Sequence, residues 1–163
     1  MSHLKDINSK IYNLDILTTQ VEQWKKSGNK IVFTNGCFDI IHRGHIEVLA
    51  STADLGNKLI IGLNSDQSIQ NIKGEGRPII DEQSRAILLA ALSFVDAVIL
   101  FTDDTPLKLI SALLPDVLAK GGDYEIENIV GYEIVQKNGG KVKLVPFIDG
   151  YSSTSIIKKI KNY

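Results

Sequence analysis

The chain has 163 residues, a length that fits one domain and suffices to bury about two-thirds of the surface an unfolded chain exposes. Hydrophobic residues make up 44% and charged residues 23%, with a formal net charge of −1, so there is no basic field to hold a nucleic-acid backbone. One cysteine, Cys37, excludes an internal disulfide and a multi-cysteine metal site. With no leader-like N-terminus and no run of about 18 apolar residues, a cytoplasmic protein without a membrane span is expected.

Residues 1–29 are polar, with weak helical spacing of Ile11, Leu14, Ile16, Leu17, Val21 and Trp24. A helix is expected over Asp15–Lys26, stopped by Ser27-Gly28-Asn29 and packed on the core through Val21 and Trp24. This segment reads as a helical extension, with Trp24 as a core or dimer contact rather than a ligand platform. The first strand is Lys30–Thr34, followed by a helix from Gly44 to Asp54 that Gly56 stops. The second strand is Lys58–Leu63, with a short helix after it to Ile72. Asp81 caps a helix over Glu82–Leu92, and Ala97–Phe101 is the third strand. Thr105-Pro106 opens a helix with proline at its first position, ending by Pro115, and Asp116–Ala119 is the fourth strand. A helix over Ile129–Lys137 precedes the fifth strand, Lys141–Pro146, and the last helix begins in Ser152-Ser153-Thr154.

Short apolar strands alternating with helices indicate βαβ units, and continuous apolar runs indicate strands covered on both faces. The expected fold is one α/β domain over residues 30–163, a doubly wound parallel sheet of five strands with helices on both faces.

The chemistry concentrates in Thr34 to His45, T-N-G-C-F-D-I-I-H-R-G-H. A strand, a glycine turn and a helix start meet there, and ligands of α/β folds bind beyond the carboxyl ends of strands. Free N–H groups and the positive dipole end of a helix favour phosphate. His42 and His45, three apart, can share one side of the first helical turn. Gly36 and Gly44 let the backbone approach a ligand. This reads as a polyphosphate site with two added imidazoles. Cys37 within it reads as a small buried residue, since nothing nearby calls for a thiol.

Three further clusters bear on that site. Ser152, Ser153 and Thr154 open the last helix, where their hydroxyls suit phosphate oxygens or simple N-capping, with Ser152 as the cap. Lys73-Gly74-Glu75-Gly76-Arg77-Pro78, followed by Arg85, forms a basic loop able to close over phosphate or to remain a solvated surface loop. Lys120-Gly121-Gly122-Asp123 follows a strand, and Asp123 could order the loop, hold a metal or contact a sugar hydroxyl. Asp103-Asp104 could pair on a metal, but Asp-Asp-Thr-Pro reads better as helix entry with Asp104 or Thr105 capping.

The segment G-C-F-D-I-I-H-R-G-H resembles the signature of the nucleotidyltransferase superfamily in its cytidylyltransferase-like branch, matched by Gly36, Phe38, Asp39, His42, Gly44 and His45. Y-S-S-T at Tyr151–Thr154 resembles that superfamily's second signature. Across Lys30–Ile160 the blocks G-L-N-S-D, K-G-E-G-R-P, D-E-Q-S-R-A, P-D-V-L-A-K-G-G-D-Y and D-G-Y-S-S-T-S-I-I-K-K-I are similar to the adenylyltransferases that make ADP-heptose from heptose 1-phosphate. The resemblance implies a Rossmann-like nucleotidyltransferase domain, ATP and a sugar 1-phosphate as substrates, and Mg²⁺ carried mostly by the phosphates. It implies catalytic roles for His42, His45 and Lys73. Asn35, Gly36, Phe38, Asp39, Gly44, Lys120, Gly121, Asp123, Ser152, Ser153 and Thr154 fall to the nucleotide, and Lys73, Arg77 and Arg85 to the substrate phosphate. No protein ligand to the metal is implied.

The related enzymes also imply a homodimer. In many bacteria a sugar kinase is the other half of one chain; this chain resembles the free-standing form, for which the kinase would be a separate protein. Related CTP enzymes carry Arg-Thr where this chain has Phe147-Ile148-Asp149-Gly150, which favours ATP. The alternatives are a glycerol-3-phosphate cytidylyltransferase, an FMN adenylyltransferase, or a non-catalytic nucleotide-binding module on the same fold.

Overall fold

The computed structural model describes residues 2–147 and 150–162. Six parallel strands form one sheet: β1 (Ile11–Tyr12), β2 (Ile31–Gly36), β3 (Lys58–Asn64), β4 (Ala97–Phe101), β5 (Val117–Gly121) and β6 (Lys141–Val145). The helices are α1 (His3–Asn8), α2 (Leu14–Lys26), α3 (Arg43–Ala53), α4 (Asp66–Lys73), α5 (Glu82–Ala90), α6 (Leu107–Leu113), α7 (Tyr132–Lys137) and α8 (Ser153–Lys161). The helix expected from Ile129 starts only at Tyr132, because Ile129 is extended after a 3₁₀ turn at Ile126–Asn128 and Gly131 is left-handed. Among the described residues no helix is long and apolar enough to cross a membrane.

The strand order is β1-β4-β3-β2-β5-β6. The chain runs outward from β2 through β3 to β4, then returns to the other side of β2 for β5 and β6. The carboxyl ends of β2 and β5 therefore flank the point where the winding reverses, which is where such sheets leave a crevice. β2 stays paired with β3 along its whole length, from Ile31 opposite Lys58 to Gly36 opposite Leu63. Its pairing with β5 stops at Phe33 opposite Leu118. Beyond Phe33 the two strands part, and Asn35 and Lys120 stand on the two sides of the gap.

Alternation along the buried strands sends side chains to two apolar layers. Ile31, Phe33, Ile60, Ile99 and Leu118 pack under α2, α6 and α7 with Leu17, Leu109, Ile110 and Val135. Val32, Leu59, Ile61, Val98 and Ala119 pack under α3 and α5 with Leu49, Ala86 and Leu89. Asp81 caps α5, its carboxylate accepting from Ser84 N at 3.0 Å, as the sequence implied.

The sheet has six strands where five were expected, and the sixth comes from the N-terminal segment read as a helical extension. Ile11 pairs with Val98 and Tyr12 with Ile99, so β1 covers the outer edge of β4. Two residues are too few to display a strand period, which is why their pattern merged into the helical spacing around them. Leu17 and Val21 of α2 are buried in the core, and Trp24 packs against it with the Lys58 ammonium 5.4 Å above its ring. The expected capping of α6 by Thr105 or Asp104 is absent, because Pro106 stands at the cap position and no side chain bonds there. Asp103 and Asp104 are exposed, and among the described residues no three His, Cys, Asp or Glu side chains group to hold a metal ion.

Leu17 is fully buried, so Leu17→Ala should cost about 2–5 kcal/mol by the usual cost of emptying a core leucine site. Urea unfolding measures this, and an unchanged midpoint would make α2 a separable extension.

Candidate active site

A cleft of about 600 Å³ opens at the carboxyl ends of β2 and β5. It gathers Asn35, Gly36, Phe38, Asp39, His42, Gly44 and His45 from the first motif, and Lys73 from the end of α4. Lys120 and Gly121 reach it from β5, and Ser152, Ser153 and Thr154 from the start of α8. Residues separated by more than a hundred positions thus line one concavity. The N-termini of α3 and α8, each a source of free N–H groups, open onto it.

His42 takes the N-cap position of α3 in extended backbone, and its carbonyl accepts from His45 N at 2.9 Å and Ile46 N at 3.2 Å. That turn sets the two imidazoles face to face, centroids 3.9 Å apart and planes 20° off parallel. Phe38 meets His45 edge-on at 5.4 Å, and the Tyr151 ring lies 6.3 Å from His42 and 26° off parallel. The Nδ1 atoms of both histidines are buried and find no hydrogen-bond partner among the described residues. Buried polar atoms are nearly always paired, so two orphans side by side in a cleft mark a place for a ligand's polar groups.

Burial also sets the charge of the pair. Desolvation lowers the pKa of His42. His45 falls to about 4, mainly through desolvation, then through the neighbouring His42 and the Lys73 charge, with an Ile40 backbone contact opposing. Both rings are neutral near pH 7 in the free cleft. Lys120 is likewise lowered by burial, and its ammonium donates to Asn35 Oδ1 at 3.3 Å across the mouth of the crevice.

At Gly44 the segment leading into α8 lies close against α3. A Cβ there would stand 2.9 Å from Tyr151 Cβ and 3.2 Å from the His42 ring, so only glycine lets the two signatures close on each other. Ser152 Oγ accepts from Ser155 N at 3.0 Å, making it the cap of α8, as one sequence reading had it. Ser153 Oγ donates to the Ile40 carbonyl at 3.4 Å and fastens α8 to the histidine turn.

Three expected site residues are elsewhere. Asp123 is exposed and does not line the cleft. Arg77 does not line it either: its Nε donates to Asp39 Oδ2 at 2.6 Å. Arg85, expected at a phosphate, is fully buried. Its Nε donates to the Ile80 carbonyl at 2.9 Å, and its Nη1 to those of Cys37 at 2.6 Å and Asn64 at 2.8 Å. Its Nη2 meets Asp66 Oδ1 at 2.6 Å. The guanidinium is consumed by protein acceptors. Asp39, though at the cleft wall, is 1% exposed, and its Oδ1 accepts from Ile79 N at 2.7 Å and Ile80 N at 3.0 Å.

Sequence reasoning missed Thr34, Cys37, Tyr124, Phe147 and Tyr151 as lining residues. Tyr124 and Tyr151 adjoin the glycine motifs already singled out, which was the available signal. Cys37 is half-buried at the cleft, not the small core residue expected. Of the segment replacing Arg-Thr, Ile148 and Asp149 lie outside the described residues.

Comparison with known proteins agrees with this geometry. Residues 33–159 match the cytidylyltransferase-like family, and the chain belongs to that family. The chain is 52% identical to the bifunctional protein HldE of Citrifermentans bemidjiense over 96% of its own length and 32% of that protein. It is 53% identical to HldE of Pelobacter propionicus over 95% of its length and again 32% of that protein. It thus spans about a third of the length of the curated relatives it matches. Among solved structures, a lipopolysaccharide core biosynthesis protein from Thermoplasma volcanium superposes with a TM-score of 0.60 and 31% identity, covering 77% of this chain and all of that one. The pantoate-beta-alanine ligase of Francisella tularensis, at 15% identity and a TM-score of 0.62 over 94% of this chain and 78% of that one, shares the fold.

Two outcomes follow from the burial of these groups. Between the unfolded pKa of 6.5 and the folded value of about 4, the unfolded chain binds a proton at His45 that the folded chain does not. Stability should therefore fall as pH drops through that window, and the fall between about pH 7 and about pH 5 in denaturant titrations should be smaller in His45→Gln. An equal fall in both proteins would remove His45 as the cause. Separately, Arg85→Leu should lower stability by on the order of 3 kcal/mol, because it removes a fully buried cation and strands the buried Asn64 carbonyl together with two part-buried carbonyls and the Asp66 carboxylate. Unchanged melting with a raised KM would return the guanidinium to the substrate.

Proposed function

We propose that the chain is an adenylyltransferase that moves AMP from ATP to a sugar 1-phosphate, heptose 1-phosphate, and releases pyrophosphate. The observation that carries this reading is the stacked His42–His45 pair, neutral and with both Nδ1 atoms unsatisfied, at the meeting of two helix N-termini. The identity to HldE proteins along nearly the whole chain supports the ADP-heptose product, and the Thermoplasma volcanium relative supports a place in lipopolysaccharide core synthesis.

In this reading an oxygen of the sugar phosphate attacks the α-phosphorus of ATP in line, the α–β bridging bond breaks, and the electron pair leaves with pyrophosphate. The nucleophile is already an anion, so no base and no covalent enzyme intermediate is needed. Catalysis is then positioning and charge stabilisation. His42 and His45 donate hydrogen bonds to oxygens around the α-phosphorus, and an entering polyanion favours their protonated forms. Lys73 balances triphosphate charge, and Ser153 and Thr154 receive the β- and γ-phosphates at α8. Asn35, Lys120 and Gly121 border the nucleotide where β2 and β5 part. Among the described residues Asp39 is the one carboxylate lining the cleft, and it is committed to Arg77 and two backbone N–H groups, so Mg²⁺ arriving with ATP would be held by phosphate oxygens. The sugar 1-phosphate calls for a kinase upstream, and a homodimer is the expected assembly.

Pyrophosphate release with heptose 1-phosphate and Mg²⁺ should require ATP and fail with CTP. His42→Ala and His45→Ala should each lower kcat by about 10²–10³-fold, the range for removing a donor to a developing oxyanion, with melting temperature held. Release with CTP would reverse the nucleotide assignment, and near-normal turnover in either folded variant would remove the histidine roles.

A further inference from the structure

Between Lys73 and α5 the chain makes a strap, residues 74–81, that runs beside the histidine turn. Its first half is loose. Gly74 and Gly76 both have positive φ, and nothing lies within 4 Å of where their Cβ atoms would be. Its second half is fastened to the histidine turn by buried groups. Asp39 takes Arg77 Nε on one oxygen and the Ile79 and Ile80 N–H groups on the other, and Arg85 joins the Ile80 and Cys37 carbonyls. α4 is tied at its own start as well, since Glu82 accepts from Asp66 N at 2.8 Å and Arg85 holds the Asp66 carboxylate. Lys73 is therefore the last residue of a helix anchored at its far end, four residues before the first fastening on the strap. That fastening is Arg77 to Asp39, and Asp39 lies three residues before His42.

We propose that Arg77 is a positioning residue, a latch on the histidine turn that holds Lys73 at the cleft it lines with the imidazole pair. Arg77 does not line the cleft, and its Nε is given to Asp39. Its ion pair with Asp39 is 16% and 1% exposed at the two side chains, so solvent does not compete for it as it would at the surface. Without the latch the strap stays tied at Ile79 and Ile80 only, and two more residues join the glycines as free chain. Lys73 then samples positions away from the cleft, and each nucleotide bound must restrain it anew. Losing Arg77 consequently weakens nucleotide binding more than it slows the chemical step.

The inference rests on the reading of Lys73 as a phosphate contact, and a double-mutant cycle separates the two. KM for ATP and kcat are measured for the wild type, Lys73→Ala, Arg77→Ala and the double variant, with folding followed by thermal melting. Arg77→Ala should raise KM for ATP by about tenfold with little change in kcat when Lys73 is present, and should add almost nothing when Lys73 is absent. Arg77→Lys, which returns a cation to Asp39, should recover most of the lost KM. If Arg77→Ala does not accumulate folded, Arg77→Gln takes its place in the same cycle. An undiminished effect of Arg77→Ala in the Lys73→Ala background would overturn the latch, as would no effect in the wild-type background. If Lys73→Ala alone changes neither KM nor kcat, the phosphate reading of Lys73 falls and the latch falls with it.

Discussion

A single buried cation ties together the carboxyl ends of β2 and β3. The Arg85 guanidinium bonds to the turn after β2 through Cys37, to the end of β3 through Asn64, to the start of α4 through Asp66, and to the strap through Ile80. A guanidinium is suited to this because it presents planar, fixed donors and stays charged under all conditions a protein meets. Three loops that would otherwise move separately meet on one rigid fork. The cleft exists because those loops are fixed while β5, on the other side of β2, swings away beyond Phe33.

Within that frame the histidine pair is an electrostatic device with a resting state and a loaded state. Two imidazoles stacked 3.9 Å apart in a desolvated turn cannot both be cations unless an anion compensates them. The surroundings supply fixed positive potential without a mobile proton: the ends of α3 and α8, Lys73 and the buried Lys120. A polyphosphate brings the missing negative charge, and the rings can then accept protons or strengthen their hydrogen bonds. Because the groups are oriented beforehand, little reorganisation is required when charge develops on phosphate oxygens.

Much of this was legible in the sequence, and what was not has physical reasons. The apolar runs Lys58–Leu63 and Ala97–Phe101 are strands within one residue of their expected limits, because strands buried on both faces carry no polar interruptions. His42, Gly44 and His45 could be placed at a helix start because glycine, histidine spacing and the following apolar positions all point the same way. Arg85 could not. An arginine following a basic loop reads as a phosphate contact, and only the folded chain brings four protein acceptors to it instead. Arg77 and Asp39 fail for the same reason, since two residues 38 positions apart announce no ion pair. Tyr151 and Phe147 stand in stretches the sequence singles out, but an aromatic beside a glycine turn looks the same whether it faces a core or a cleft.

The two ends of the sheet are closed by different means. At β6 the outer strand exposes Lys141 and Lys143, charges that deter another strand from docking alongside. At β4 the margin is apolar, Val98 and Ile99, and it is occupied by Ile11 and Tyr12 from the start of the chain. A molecule nicked or frayed before α2 would uncover unpaired amides beside β-branched side chains, the kind of border on which chains self-associate. The short first strand thus serves solubility as much as stability, a sacrificial hem sewn along the one side of the sheet that has no charge to guard it.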